Sequence, residues 1–496
     1  MNPLILADFY KMGHYNMYPK GITNIYDNFT PRKSRIKGID EVVAFGLQYF
    51  IKEYLIKEWN REFFDRPKGE VINEYKRMMD ATLGPDSVSM EHIEKLHDLG
   101  YLPLKIKSLP EGSLCPIGVP MFTIINTVDH AYWLPNYLET ILSTSVWQSC
   151  TSATIAREYK KLLLKFAEKT GDPAFVQWQG HDFSMRGMSS KETACMSGAG
   201  HLLNFYGTDT IPAIAWLEKN YNADVTKELV GASVPATEHS VMCAGSKDGE
   251  IDTFRALMQA YPKGILSIVS DTWNLWDVLG KFLPELKSEI LEREGKLVIR
   301  PDSGDPVDIL CGLTNTDKVA KGRSHDDANM IYKGVIESLW DTFGGTINEK
   351  GYKVLDSHIG AIYGDSITLE RAEQICTLLE AKGFASTNVV LGIGSYTYQY
   401  NTRDTFGFAM KATWCKINGV DYELFKDPIT DDGTKKSAKG LLHVYKENGR
   451  FKLKDQCTPE EEATGELKVV FEDGELIKDW TLQEIRNNLN EKPETL

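Results

Sequence analysis

The chain of 496 residues is 42% hydrophobic and 25% charged, which leaves room for more than one domain and excludes disordered and collagen-like classes. Its formal net charge of −14 argues against a general nucleic-acid binder, while a local basic pocket stays compatible with it. The 8 cysteines stand singly, without the Cys-x-x-Cys pair of a zinc ribbon or redox dithiol. The start, Met1 to Ala7, is too short for a secretion signal, and no apolar run approaches the ~20 residues that span a bilayer. A soluble, cytoplasmic protein is expected.

In chain order, Leu4 to Tyr18 is a polar-aromatic segment containing Asp8-Phe9-Tyr10-Lys11. Asn24 to Phe29 reads as a strand, followed by the basic loop Thr30-Pro31-Arg32-Lys33-Ser34-Arg35. Glu41 to Leu55 spaces its apolar residues as a helix does, and Leu102 to Val128, rich in Pro, Gly and β-branched residues, predicts short strands. A second helix is predicted over Thr151 to Lys169, with Thr151 or Ser152 as cap and Gly171 as stop.

After Gly171 come short apolar runs: Val176 to Trp178, Ile214 to Trp216, Leu266 to Val269, Leu297 to Ile299, Ile359 to Tyr363 and Val389 to Leu391. Helical patterns lie between them, most clearly Thr368 to Lys382, capped by Asp365 or Ser366. Strands alternating with helices predict parallel βαβ units, and charges at the strand ends predict an α/β barrel with its site on the C-terminal face. Beyond Arg403, the pairs Asn418-Gly419, Asn448-Gly449 and Asp473-Gly474 predict antiparallel hairpins. Residues 314–329 read as a polar loop. The chain therefore divides into an α+β part (1–170), a barrel carrying the active site (171–400) and hairpins (401–496) that pack with the N-terminal part.

Four strand ends present a similar combination: Ser270-Asp271; Arg300-Pro301-Asp302-Ser303-Gly304; Gly364-Asp365-Ser366; and Gly392-Ile393-Gly394-Ser395. Pro301 cannot donate to a ladder and ends its strand. Glycine lets backbone N–H groups approach a phosphate, and a helix N-terminus adds positive partial charge. Asp302 and Asp365 have the chemistry to bind vicinal ribose hydroxyls or hold Mg²⁺ around a diphosphate. One such turn reads equally well as a solvated surface turn; four together point to a phosphorylated sugar. Gly392-x-Gly394 has Thr397 where a third glycine would stand, which argues against a dinucleotide fingerprint.

In Ser233-Val-Pro-Ala-Thr-Glu-His-Ser240, His239 beside Glu238 is either structural or, with Asp271 near, a general base or phosphoryl acceptor. The 10 histidines show no zinc-ligand spacing, so no protein-bound metal is expected. Ser189 and Glu192 predict a capping box, which places Arg186 to meet an anion and Phe183 to stack on a planar ligand. A capped helix with a core phenylalanine and a solvated arginine fits the same residues. Asp209 alone reads as a turn residue.

Taken together and in order, Asp8-Phe-Tyr-Lys, Phe45-Gly-Leu-Gln-Tyr, His181-Asp-Phe, Gly207-Thr-Asp-Thr, Ser233 to Ser240, Ile268-Val-Ser-Asp, Ile299-Arg-Pro-Asp-Ser-Gly and Gly364-Asp resemble the nicotinate/nicotinamide phosphoribosyltransferase family. The resemblance runs from the first residues nearly to the last. It implies the type II phosphoribosyltransferase fold, an irregular α/β barrel with a second α+β domain built from the N- and C-terminal segments. It also implies condensation of nicotinamide with 5-phosphoribosyl-1-diphosphate, Mg²⁺ bound with the diphosphate, ATP coupled through a phosphohistidine, and a homodimer with shared active sites.

By position, the resemblance makes His239 the phosphorylated residue, oriented by Glu238 and Asp271. Phe183 would stack on one face of nicotinamide and Tyr10 from a second subunit on the other, with Asp8 beside it. Arg186, Arg300 and Arg403, with Arg32 from a second subunit, would hold phosphates near Ser233. Asp302 and Asp365 would bind the ribose, and Gly364 and Gly394 would supply backbone N–H groups. Asp209 would accept from the amide NH₂ of nicotinamide and repel the carboxylate of nicotinate, so the amide is expected over the acid. Nicotinate phosphoribosyltransferase, with the same fold and chemistry, is the alternative. A barrel aldolase or isomerase would need a Schiff-base lysine or proton-abstracting carboxylate at a strand end, and neither is evident. The chain departs from animal members at Gly392-Ile-Gly-Ser-Tyr396, where they carry a run of glycines and Ser395 here adds a hydroxyl. In this it looks like bacterial and phage members.

Overall fold

The computed structural model describes residues 1–313, 325–364, 366–426 and 438–490. They form two units: Met1–Thr154 with Trp216–Asp224 and Asn401–Leu496, and Ile155–Ala215 with Val225–Tyr400.

The second unit is built on a parallel sheet. Its strands run in the order Gly207–Thr208, Gly180–Asp182, Val389–Ile393, Ile359–Tyr363, Glu294–Arg300 and Lys263–Val269. Every pairing in it is parallel. Two further parallel bridges, Gly207 with Ala232 and Ala236 with Ser267, attach the segment between Ala232 and Ala236 to both sheet edges. This segment closes the barrel, and it carries Ser233 and leads directly into His239. Alternation along Glu294–Arg300 shows how the barrel is lined. Leu297 and Ile299 are fully buried on the outer side, while Lys296, Val298 and Arg300 line the lumen.

Several elements differ from the sequence reading. Val176–Gln179 is helical, and the strand is the following Gly180–Asp182. Ile214 to Trp216 lies inside the helix Ile211–Tyr221. Short apolar runs do not distinguish a buried helix from a buried strand, which is the reason for both differences. The long helix begins at Glu139 and ends at Thr170, with Thr151 and Ser152 buried in its interior. Thr154 Oγ1 bonds back to the Cys150 carbonyl at 2.6 Å, so a hydroxyl in this stretch does not mark a helix start. Thr368, rather than Asp365 or Ser366, caps Leu369–Ala381. The capping box on Lys191–Leu202 is formed by Ser190 and Thr193 rather than Ser189 and Glu192.

The first unit contains a seven-stranded sheet in the order Val420–Glu423, Phe408–Ile417, Ile22–Pro31, Phe122–Asn126, Leu104–Ser108, Lys468–Glu472 and Glu475–Leu476. N- and C-terminal segments thus interleave in one antiparallel layer. Phe29 stacks on Phe122 and Phe408 from its two neighbouring strands, at 4.9 and 5.6 Å between centroids. The three Asn-Gly and Asp-Gly pairs all form tight hairpins, with positive φ at both residues of each. Glu41–Val43 is a strand paired with Leu114–Pro116, not part of a helix. The helix starts at Leu47, after Gly46 at φ +103°, and continues as the π-helix Ile51–Glu58. Among the described residues, no helix is long and apolar enough to cross a membrane.

Candidate active site

Three barrel segments bring charged groups to one place. Asp271 follows Lys263–Val269, and its Oδ2 accepts from the backbone N–H groups of Asp302 (2.8 Å) and Ser303 (2.7 Å). Its buried Oδ1 has no hydrogen-bond partner among the described residues. His239 opens the helix His239–Ala244 that follows the closing segment. Its Nε2 lies 3.9 Å from Asp271 Oδ1 and 3.8 Å from Asp302 Oδ2, while Nδ1 meets Thr272 Oγ1 at 3.1 Å. About half of the ring is exposed, so one face stays open to an incoming group. Glu238 accepts a hydrogen bond from Ser240.

Arg300 ends its strand largely buried, donating to the Thr237 carbonyl, with Nε 3.7 Å from Asp302 Oδ1. Gly364 stands across from it, where a Cβ would lie 2.1 Å from Asp302 Oδ1. A side chain there would displace the Asp302 carboxylate. The Gly364 N–H is directed to the Pro301 carbonyl at 3.3 Å. Asp365 lies outside the described residues.

The barrel lumen, a cavity of about 600 Å³, is lined by Phe183, Asp209, Ser233 and Arg300 among others. Asp209 Oδ1 accepts from Ser233 Oγ at 2.6 Å and meets His181 Nε2 at 2.9 Å. Burial pushes the Asp209 carboxyl up, but the hydrogen bonds from His181 and Ser233, with the electrostatic pull of His181 and Arg300, outweigh it and hold the group below the usual range. Phe183 is seated by Gly392, where a Cβ would come within 2.7 Å of the ring. Behind these residues, Asp182 accepts from Ser184 N–H at 2.9 Å. The fully buried His201 meets Tyr398 OH at 2.7 Å, and burial pushes its pKa down to about 4.

Arg186 is exposed and makes no ion pair among the described residues, and Ser395 packs on Gly187. Gly394 has open space where a Cβ would lie, so packing does not require it. Of the remaining sequence candidates, Tyr10, Asp8, Arg32 and Arg403 belong to the other unit. There Tyr10 is 60% exposed, Asp8 accepts from Thr140 Oγ1 at 2.8 Å, Arg32 donates to the Gly407 carbonyl at 3.3 Å, and Arg403 lies 3.3 Å from Asp404. Sequence reasoning missed His181 and Thr272 as site residues. Their only local signal is a polar residue next to a strand-end aspartate.

A parallel barrel with arginine, histidine and paired aspartates at its strand ends, beside a largely apolar lumen lined by Phe183 and Asp209 among others, has the architecture of an α/β-barrel enzyme. The nicotinate phosphoribosyltransferase (NAPRTase) family model matches residues 178–475, and the nicotinamide phosphoribosyltransferase N-terminal domain matches residues 2–106. A nicotinamide phosphoribosyltransferase of Acinetobacter baylyi is 53% identical, covering 100% of this chain and 98% of its own. Another of Mycoplasma pneumoniae is 35% identical, covering 89% and 97%. Among solved structures, human nicotinic acid phosphoribosyltransferase has a similar fold, with a TM-score of 0.56 at 15% identity over 98% of this chain and 93% of that one. The chain belongs to the nicotinate phosphoribosyltransferase family, and it is a phosphoribosyltransferase related along its whole length to the nicotinamide-using enzymes.

Proposed function

We propose that this enzyme joins nicotinamide to 5-phosphoribosyl-1-diphosphate, giving nicotinamide mononucleotide and diphosphate in NAD biosynthesis. The pyridine nitrogen forms a bond to ribose C1 as the C1–diphosphate bond breaks and its electron pair leaves on diphosphate. The observation that carries this reading is Asp209, an ionised acceptor in the same cavity as Phe183. It favours the NH₂ of a neutral amide over a second carboxylate.

Catalysis on this reading is positioning and charge stabilisation. Phe183 holds the ring, Asp302 and Asp365 hold the ribose, and Arg300 and Arg186 neutralise phosphate oxygens. Gly394 leaves its backbone open to them, Ser395 adds a hydroxyl, and Ser233 steadies Asp209. Among the described residues, no cluster of three or more His, Cys, Asp or Glu is arranged to hold a metal. Mg²⁺ would bind together with the diphosphate, and Asp271 Oδ1, which lacks a hydrogen-bond partner among the described residues, suits it together with Asp302. It would supply charge neutralisation to the leaving group.

We also propose that ATP phosphorylates His239, the new N–P bond forming as the bond between the β-γ bridging oxygen and the γ-phosphorus breaks and ADP leaves with its electron pair. Thr272 occupies Nδ1, leaving Nε2 beside Asp271 and Asp302 to accept the phosphoryl group. A cytoplasmic homodimer, with Tyr10, Asp8 and Arg32 completing the site of a second subunit and Arg403 adding phosphate charge, fits the exposure of Tyr10. The test is product formation with 5-phosphoribosyl-1-diphosphate and Mg²⁺, offering nicotinamide and nicotinate in parallel, with and without ATP. Preference for nicotinamide with ATP stimulation is expected. Preference for nicotinate would overturn the substrate assignment, and ATP stimulation surviving in His239→Ala would overturn the phosphohistidine.

A further inference from the structure

We propose that His181 is a specificity-determining residue, fixing one oxygen of Asp209 so that the other reads the amide of the substrate. The inference rests on the reading of Asp209 given above. His181 and Asp209 line the same cavity, and His181 Nε2 sits 2.9 Å from Asp209 Oδ1. Ser233 Oγ reaches that same oxygen at 2.6 Å. No hydrogen bond engages Oδ2 among the described residues. The Asp209 backbone is itself pinned, its N–H donating to the Asp182 carbonyl at 2.9 Å.

The His181 ring is held as firmly as the group it holds. Gly207 lies against it, and a Cβ there would come within 2.7 Å of Nδ1. The Phe183 ring lies 4.6 Å away on the other side. The charged and titratable groups near this ring include Asp209, which it meets directly, Asp182 on its own strand, His201, and Arg300 in the same cavity. A carboxylate torsion is broad and roughly two-fold when unrestrained. Two donors on one oxygen remove that freedom and turn the second oxygen into a fixed acceptor. An Nε2–H donor holds the Asp209 carboxylate in place without removing it, and its negative charge is what rejects an acid.

The test compares kcat and KM for nicotinamide and nicotinate, with 5-phosphoribosyl-1-diphosphate, in wild type, His181→Ala, His181→Gln and His181→Lys. His181→Ala should raise KM for nicotinamide about 10-fold, with a smaller change in kcat, as expected for one lost hydrogen bond to a charged group. His181→Gln, which keeps an N–H donor, should bring KM back to within about 3-fold of wild type. His181→Lys places a cation on Asp209 and should lower the nicotinamide-to-nicotinate ratio of kcat/KM by about 10-fold or more.

A merely structural role predicts otherwise: all three variants would lose kcat together and keep the wild-type ratio. An unchanged ratio in His181→Lys overturns the inference even if activity falls. If wild type prefers nicotinamide and the ratio does not move, this inference fails alone. If wild type prefers nicotinate or uses neither base, the reading of Asp209 fails and this inference with it.

Discussion

Carboxylates behave in opposite ways in the two units. In the barrel, Asp209 is held below its usual range by donors from Ser233 and His181, and Asp271 takes two backbone N–H groups from the Asp302 turn. In the antiparallel unit, Asp27 is fully buried in the strand Ile22–Pro31 with one oxygen lacking a hydrogen-bond partner. Burial, and then repulsion by Glu139, pushes its pKa up to about 7 against the pull of Lys11 and Lys411. Glu111 accepts from Gly46 and Gln48 N–H groups, yet burial still pushes it up to about 7. The difference lies in burial weighed against donors. Asp209 is 45% exposed and takes two side-chain donors, and Asp271 takes two backbone N–H groups of the turn beyond a neighbouring strand. Asp27 and Glu111, in contrast, are fully buried, and desolvation outweighs the donors they have. Charge can therefore be kept for chemistry at the barrel ends, while charge inside the sheet is a cost to stability.

The sharpest way to break that comparison is to remove a barrel charge. Arg300→Ala should lower kcat/KM by about 100- to 1,000-fold, the scale of losing one preorganised donor to a charged leaving group. Steady-state kinetics with varied 5-phosphoribosyl-1-diphosphate read the loss, and thermal unfolding should shift little. A large fall in melting temperature with intact activity would mean that Arg300 is structural.

The reverse experiment is Asp27→Asn. The folded-state pKa lies above the unfolded value, so between about pH 4 and 7 the folded protein holds a proton that the unfolded chain has released. Stability then falls as pH rises through that window and is flat above it. At pH 8 the wild type carries a penalty of up to about 4 kcal/mol at this position, on the order of 1.4 kcal/mol per pKa unit. The asparagine variant should be more stable at pH 8 and lose less stability between pH 4 and 7. Denaturant titrations at three pH values measure this; parallel curves for the two proteins would remove Asp27 from the comparison.

How much of this was legible in the sequence follows from the range of the interactions. The Asn418-Gly419, Asn448-Gly449 and Asp473-Gly474 hairpins could be read because a turn demanding positive φ at two residues is a local property. The strand ends at Asp271, Arg300 and Asp302 were legible for the same reason: a short buried run stops at a polar turn or a proline. The closing segment between Ala232 and Ala236 was not, since its two bridges join residues far apart in the chain and its own sequence has no strand periodicity. Nor was the contact of His181 with Asp209, which depends on two neighbouring parallel strands. Tyr10, Arg32 and Arg403 entered through the family resemblance alone; nothing in their local pattern marks them. The state of Asp27 was hidden because only the packing of its sheet reveals that no donor reaches its second oxygen.

Within the barrel the comparison sharpens when apolar and polar anchors are separated. Phe183→Ala removes ring contact without removing charge, and should raise KM for nicotinamide about 10-fold with a smaller change in kcat. Equal losses for both substrates in kcat alone would place Phe183 outside the pyridine pocket.

The smallest effect concerns a polar group in the barrel that serves the fold. Ser190 caps Lys191–Leu202, accepting from Thr193 N–H at 3.1 Å, while Thr193 Oγ1 accepts from Ser190 N–H at 2.9 Å. Ser190→Ala removes one half of this box and leaves a helix N–H without its partner, a loss of about 1 kcal/mol. Denaturant unfolding should register that loss while kcat/KM for both bases stays within about 2-fold of wild type, since free N–H groups at a helix start can be satisfied by water. A larger drop in activity than in stability would mean that this helix end positions Arg186 for a phosphate. The division between charges kept for ligand and polar groups kept for structure would then run through a single turn of the barrel.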